Sequence, residues 1–195
     1  MTLNILLIII SSIVTASAVV PYIANITKGK TKPRIISWII WSVMALIIGV
    51  AALSEGQYAT AILSLASSIS SILVVIFSLE NGDRQIGHFD IVCLFGAIIG
   101  ITLWAVFNSP AIAVVAIIVA SLMGGIPTMI HSWKKPGEET EATYVLYLVG
   151  AICTLLAVVD WRITAFAYPV YLVVVNIVFV LIIFFRKRTQ ISKKR

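Results

Sequence analysis

Residues Pro21 to Trp41 read PYIANITKGKTKPRIISWIIW. An apolar run ends at a proline and crosses a short loop carrying Lys28, Lys30, Lys32 and Arg34. It then re-enters apolar sequence with Trp38 and Trp41 one helical turn apart. A second stretch, PTMIHSWKKPGEETEATYVLY from Pro127, has the same order of parts. The shift that lays Pro21 on Pro127 also lays Lys28 on Lys134, Trp38 on Tyr144 and Trp41 on Tyr147, without a gap. The pairing reads as an internal duplication.

Outward from these stretches the chain is almost all apolar. Of its 195 residues 61% are hydrophobic and 11% charged, with a mean hydropathy of +1.09. A soluble domain of this length cannot hide so much apolar surface, so lipid is the solvent for most of it. The net charge of +6 sits at segment ends and the C-terminus, which speaks for membrane orientation and against nucleic acid.

Seven apolar segments are long enough to cross a bilayer. They lie near 3–25, 35–53, 58–79, 89–107, 110–132, 142–159 and 163–185, with a basic tail over 186–195. The first has no basic residue ahead of it and runs past Ala16-Ser17-Ala18, so it reads as a retained helix, not a signal peptide. Alternate connections carry Lys28, Lys30, Lys32 and Arg34, then Arg84, then Lys134 and Lys135. The tail carries Arg186, Lys187, Arg188, Lys193, Lys194 and Arg195, which leaves Arg162 alone on the opposite side. The bias puts the N-terminus outside and the C-terminus in the cytoplasm. The tight loops point to a prokaryotic plasma membrane.

The fold expected is therefore an all-α integral membrane protein of seven transmembrane helices. Residues 3–79 form one three-helix repeat, 89–107 a linker helix and 110–185 a second repeat. The linker makes the two repeats parallel, a plan transporters use with the substrate site between the halves.

These residues resemble the PQ-loop and SWEET superfamily. Its signature is a Pro-Gln near the cytoplasmic end of the first helix of each repeat, followed by a short Lys/Ser/Thr loop. Pro21 through Thr31 and Pro127 through Lys134 are similar to it, with Tyr22 and Thr128 where the glutamine stands. That departure leaves the subfamily open among vitamin carriers, amino-acid exporters, sugar facilitators and a sorting receptor. The resemblance implies a pocket built from an aromatic on the second helix and an asparagine on the third helix of each repeat. The matching residues are Trp38 or Trp41, Tyr144 or Tyr147, and Asn176, which the duplication pairs with Ser70.

The residues carry their own argument beside the resemblance. Asn176 lies midway along an apolar segment, where an amide needs a partner or a wet cavity. An interhelical hydrogen bond is the simpler use, but Ser70 at the paired position favours a pocket. The four aromatics form either an interfacial belt or, for the deeper Trp41 and Tyr147, a stacking surface. Pro21 and Pro127 remove backbone hydrogen bonds, as a hinge near a gate or as a plain helix stop. Asn25 and His131 pair by the same shift and would face each other at the cytoplasmic mouth. Pro169 reads as a harmless first-turn proline. Gly96 and Gly100 form a G-x-x-x-G for packing the linker helix or, second, for a homo-oligomer face.

Other chemistries have little to stand on. Cys93 and Cys153 lie in apolar segments, and neither His88 nor His131 has a second ligand at metal spacing, so no metal or cofactor is expected. The last segment has no lysine for a retinal Schiff base, and no catalytic motif marks an enzyme. All eight acids fall in loops or at segment ends, with Asp90 and Asp160 nearest to an apolar segment. A coupled carrier needs a titratable group in its path. The reading is therefore a facilitative, alternating-access transporter for a small neutral polar solute such as a sugar. The alternative is a receptor or assembly subunit with a dry core, using the basic tail as its contact surface.

Overall fold

The computed structural model describes residues 3–107 and 109–192, without the side chains of 88, 89, 93, 97, 100, 101, 103–105, 107, 110, 113, 191 and 192. His88, Cys93 and Gly100, and Lys193, Lys194 and Arg195 of the tail, thus lie outside the described residues.

The described residues are helical, with no strand. The elements are α1 (Leu3–Ser17), α2 (Val19–Thr27), α3 (Ile35–Ser54), α4 (Tyr58–Ser78), α5 (His88–Phe107), α6 (Pro110–Lys134), a 3-10 turn (Pro136–Glu138), α7 (Glu141–Ala157) and α8 (Ile163–Ser192). Five spans are long and apolar enough to cross a membrane: Leu3–Thr27, Ile35–Ser54, Tyr58–Ser78, Val114–Lys134 and Ile163–Gln190. Glu141–Ala157 is a shorter apolar helix. Large apolar side chains such as Leu3, Ile13, Ile69, Phe95 and Leu156 stand on the outside, the arrangement of a protein solvated by lipid.

Two segments differ from the sequence expectation. The first apolar run is two helices, because Pro21 has no N–H for the carbonyl of Ser17 four residues back and its ring crowds that position. The break falls at Ala18, which keeps helical angles and still donates to the Val14 carbonyl at 3.0 Å, so the chain bends without parting. Pro127 lies inside α6 and leaves that helix unbroken. The second difference is the C-terminal tail. Residues 186–192 continue α8 as helix, and Arg186 lies over the Trp133 ring, 4.6 Å from its centroid.

Pro169 is not in the first turn, because α8 begins at Ile163. The Ala165 carbonyl, deprived of its helical donor, accepts the Thr60 hydroxyl at 2.5 Å instead. Helix α2 stops on a glycine. Gly29 has φ +66, and N–H groups of Gly29 and Lys30 turn back to the Ile26 and Asn25 carbonyls at 2.9 Å each. Those are the two bonds of a Schellman cap.

The packing scheme is regular. Helix α4 packs against both α1 and α3, and α8 packs against both α6 and α7. Across the middle, α1 meets α7 and α3 meets α6, while α5 lies along α6. One end of the bundle gathers the basic loops. There Lys32 N–H donates to the Glu138 carbonyl at 3.0 Å, and Arg34 pairs with Asp83 at 3.4 Å and with buried Asp90 at 2.5 Å. At the opposite end Arg162 pairs with Asp160 and, at 3.6 Å, with Glu55. Gly96 packs on Met123 of α6, where an added Cβ would sit 3.0 Å from the sulfur.

Candidate functional site

A cavity of about 60 Å³ lies between α3, α4, α6, α7 and α8. Helix α3 supplies Trp38 and Trp41, α7 supplies Tyr144 and Tyr147, and α8 supplies Asn176. These are the aromatic and amide candidates of the sequence. Ser70 is buried beside them, but the serines that line the cavity are Ser67 and Ser71 of α4 and Ser121 of α6. Pro21, Pro127, Asn25 and His131 are not among the lining residues.

The lining is held by a circuit of rings. Tyr22 contacts Trp38 (centroids 4.9 Å apart), Trp38 contacts Trp41 (5.2 Å), and Trp41 contacts Phe179 (5.9 Å). Phe179 stacks on Tyr144 (4.5 Å), and Tyr144 meets Tyr22 edge-on (6.4 Å). Offset and edge-to-face pairs of this kind add to area burial. Trp41 is fixed further by donating its indole N–H to the Ser121 carbonyl at 3.0 Å. Its ring sits against Gly125, where a Cβ would come within 3.2 Å.

Polar groups face this apolar wall. The Asn176 amide donates to the Leu172 carbonyl of its own helix at 2.7 Å. Trp38 Nε1 and Ser121 Oγ are buried without a hydrogen-bond partner among the described residues. The Tyr147 hydroxyl is buried against Ser70 outside good hydrogen-bond geometry. Such groups cost stability until something bonds them. The cavity admits a few waters and is well below the roughly 300–1,000 Å³ of small-molecule sites.

Between the ring circuit and the basic end lies a carboxylate that sequence reasoning assigned to solvent. Glu139 follows the 3-10 turn and is 3% exposed. Its Oε2 accepts the hydroxyls of Tyr22 at 2.8 Å and Tyr144 at 3.0 Å. Its Oε1 is buried with no partner among the described residues. Burial pushes the carboxyl up to about 7, against the pull of the two tyrosine hydroxyls and Lys187, with Glu138 adding to the rise.

Glu139 belongs to a seam joining α2 and its loop to the α6–α7 connection. Asn25 Nδ2 donates to Thr140 Oγ1 at 3.0 Å, and the Thr31 and Thr140 hydroxyls share a hydrogen bond of 2.7 Å. Asn25 and His131 each find a partner in the α6–α7 connection, Asn25 in Thr140 and His131 in Glu138. His131 Nε2 lies 3.2 Å from Glu138, which also pairs with Lys135 at 3.5 Å. The acidic loop is balanced at its surface by that lysine and by Lys187, which meets Glu141 at 3.9 Å. Glu139 departs from it by turning inward.

No group of three or more His, Cys, Asp or Glu among the described residues is placed to hold a metal ion. Cys153 is a free thiol. No family model matches the chain, and neither a curated protein nor a solved structure matches it.

Proposed function

We propose that the protein is a seven-helix membrane transporter of alternating-access type for a small neutral polar solute such as a sugar. The observation that carries this reading is the cavity. Flat aromatic faces converge there, and three of the lining residues, Trp38, Ser121 and Tyr147, hold buried polar atoms without a partner among the described residues, which a hydroxyl-bearing solute would bond as the cavity widens.

The packing supports a duplicated plan. In residues 3–79 the third helix packs between the other two, and in 110–185 it does so again. The cross-contacts α1 with α7 and α6 with α3 exchange under the same repeat. An axis along the membrane normal relates such halves. The Lys/Arg bias makes the basic end cytoplasmic. On this reading the seam from Asn25 and Thr31 to Thr140 is the closed cytoplasmic gate, and Pro21, where α1 bends into α2, is its hinge. Among the described residues no carboxylate lines the cavity, which suits facilitated movement.

The test is solute-dependent stabilisation of the purified protein across sugars, nucleosides, vitamins and amino acids. A true ligand at about a hundred times its Kd stabilises by roughly 2.7 kcal/mol. The expected result is a hit that Asn176→Ala and Trp41→Ala abolish, together with flux of that solute into vesicles. A protein that neither responds to any of the panel nor moves it would overturn the reading in favour of a receptor or scaffold.

A further inference from the structure

The gate contains a titratable group that the solute cavity does not use. We infer that Glu139 is a proton-binding latch: protonated, it holds α2 and α7 together beneath the cavity, and ionised, it draws water in and lets them part. The inference rests on the transporter reading and adds a ligand to it, the proton.

The geometry distinguishes the two forms of the carboxyl. Tyr22 and Tyr144 both donate to Oε2, as they would to the carbonyl oxygen of a neutral acid. Oε1, left without a partner, is the position for the acid's O–H. In the ionised form Oε1 would carry about half of the charge with no donor, at a site 3% exposed, which is strongly unfavourable.

The surrounding charges are committed elsewhere. From α8, Lys187 directs its ammonium to the Glu139 backbone carbonyl at 3.4 Å and to the Glu141 carboxylate at 3.9 Å. From the same connection, Glu138 pairs with Lys135 at 3.5 Å and has His131 Nε2 of α6 3.2 Å away. The α2–α3 loop approaches with the Lys32 backbone N–H, which bonds Glu138 and not Glu139. Helix α2 presents Tyr22 and helix α7 presents Tyr144, both neutral.

The proton comes from cytoplasmic water as the gate closes and returns there as it opens. Each cycle therefore moves no net proton, and solute movement stays facilitative. Cytoplasmic pH sets how often the gate is open.

The experiment places nitroxides at Lys30→Cys and Gly137→Cys, with Cys93 and Cys153 replaced by serine, in phosphatidylcholine vesicles. Lys30 and Gly137 are exposed on the two sides of the seam, and a Cβ at Gly137 meets nothing within 4 Å. Pulsed EPR distances are read from about pH 5 to about pH 9. The expected result is a short distance at low pH that gives way to a longer one as pH rises from about 4.5 to 7. The closed-to-open ratio falls between about 4.5 and 7, by up to roughly tenfold per pH unit, and is level above that.

Glu139→Gln keeps the acceptor oxygen and the neutral shape, so it holds the short distance at every pH. Should that variant misfold, Tyr144→Phe serves instead. It removes one donor that favours the ionised form, so the fall runs roughly one pH unit higher and the closed fraction at high pH drops further. Two distances in proportions indifferent to pH, or a Glu139→Gln protein that titrates like the parent, would overturn the latch and leave the moving gate standing. A single short distance at all pH values in every variant would overturn both.

Discussion

Ser11 donates its hydroxyl to the backbone carbonyl of Gly150 at 2.9 Å and shares a second hydrogen bond with Thr154 at 2.6 Å. The helices α1 and α7 can approach this closely because Gly150 has no side chain. An added Cβ would overlap Thr15 Oγ1 and come within 3.4 Å of the Ser11 carbonyl. Small residues at a helix crossing are how membrane proteins bring backbones together.

Gly150→Ala is therefore expected to destabilise the protein by about 1–3 kcal/mol through overpacking. Thr15→Ala, which removes the obstructing hydroxyl, is expected to restore most of the loss. Thermal unfolding of the two single variants and the double variant measures the coupling. Additive losses would show that the contact does not limit the approach of α1 to α7.

The bond from Thr60 to Ala165 repairs what Pro169 removes. Thr60→Val leaves that carbonyl buried without a donor and costs about 1–3 kcal/mol. In a Pro169→Ala background the helix supplies its own N–H, so the same substitution costs much less. A double-mutant cycle by thermal unfolding reads the difference, and equal costs in both backgrounds would refute the repair.

Trp38 gives the cavity a test that separates binding from folding. Its indole N–H is buried and unbonded among the described residues. Trp38→Phe removes that donor and keeps an aromatic face. Melting without solute is expected to stay level or rise, while the solute-induced shift shrinks. A lower melting point with an intact solute shift would make Trp38 a packing residue only.

Folding stability carries a pH dependence of its own. The Glu139 carboxyl is raised from 4.5 to about 7, so the unfolded chain ionises first as pH rises. Stability is full below about 4.5 and falls between about 4.5 and 7. Above that it settles at a loss of up to about 3 kcal/mol. Glu139→Gln removes this slope, and chemical unfolding at several pH values reads it. A parent protein whose stability is flat from about pH 5 to 8 would exclude a protonated Glu139 in the folded state.

Part of the site was legible because a duplication constrains two places at once. Trp38, Trp41, Tyr144 and Tyr147, picked out by the shift from Pro21 to Pro127, and Asn176, picked out by its place in an apolar segment, all line one cavity, and the same shift paired Asn176 with Ser70. It missed by one position on α4. Ser67 and Ser71 line the cavity and Ser70 does not, because one residue turns the face of a helix by about 100° and α4 carries Ser64, Ser67, Ser68, Ser70 and Ser71, on more than one face. Phe179, Tyr168 and Tyr171 gave no signal, since aromatics in an apolar helix read as packing.

Glu139 was illegible for a different reason. A glutamate in a Lys-flanked loop reads as solvated. Its burial depends on Tyr22, which lies far away in the chain. The bend at Ala18 follows from Pro21, whereas Pro127 sits in an unbroken α6. Sequence marks where a backbone bond is missing, and tertiary packing decides whether the helix yields.

The five-ring circuit around Trp38, Trp41, Phe179, Tyr144 and Tyr22 has a kinetic corollary. On the proposed reading, a space of about 60 Å³ cannot receive a sugar while those rings touch, so entry requires several ring contacts to come apart together. Such a barrier is largely enthalpic. On the proposed transport reading, turnover would then climb steeply with warming.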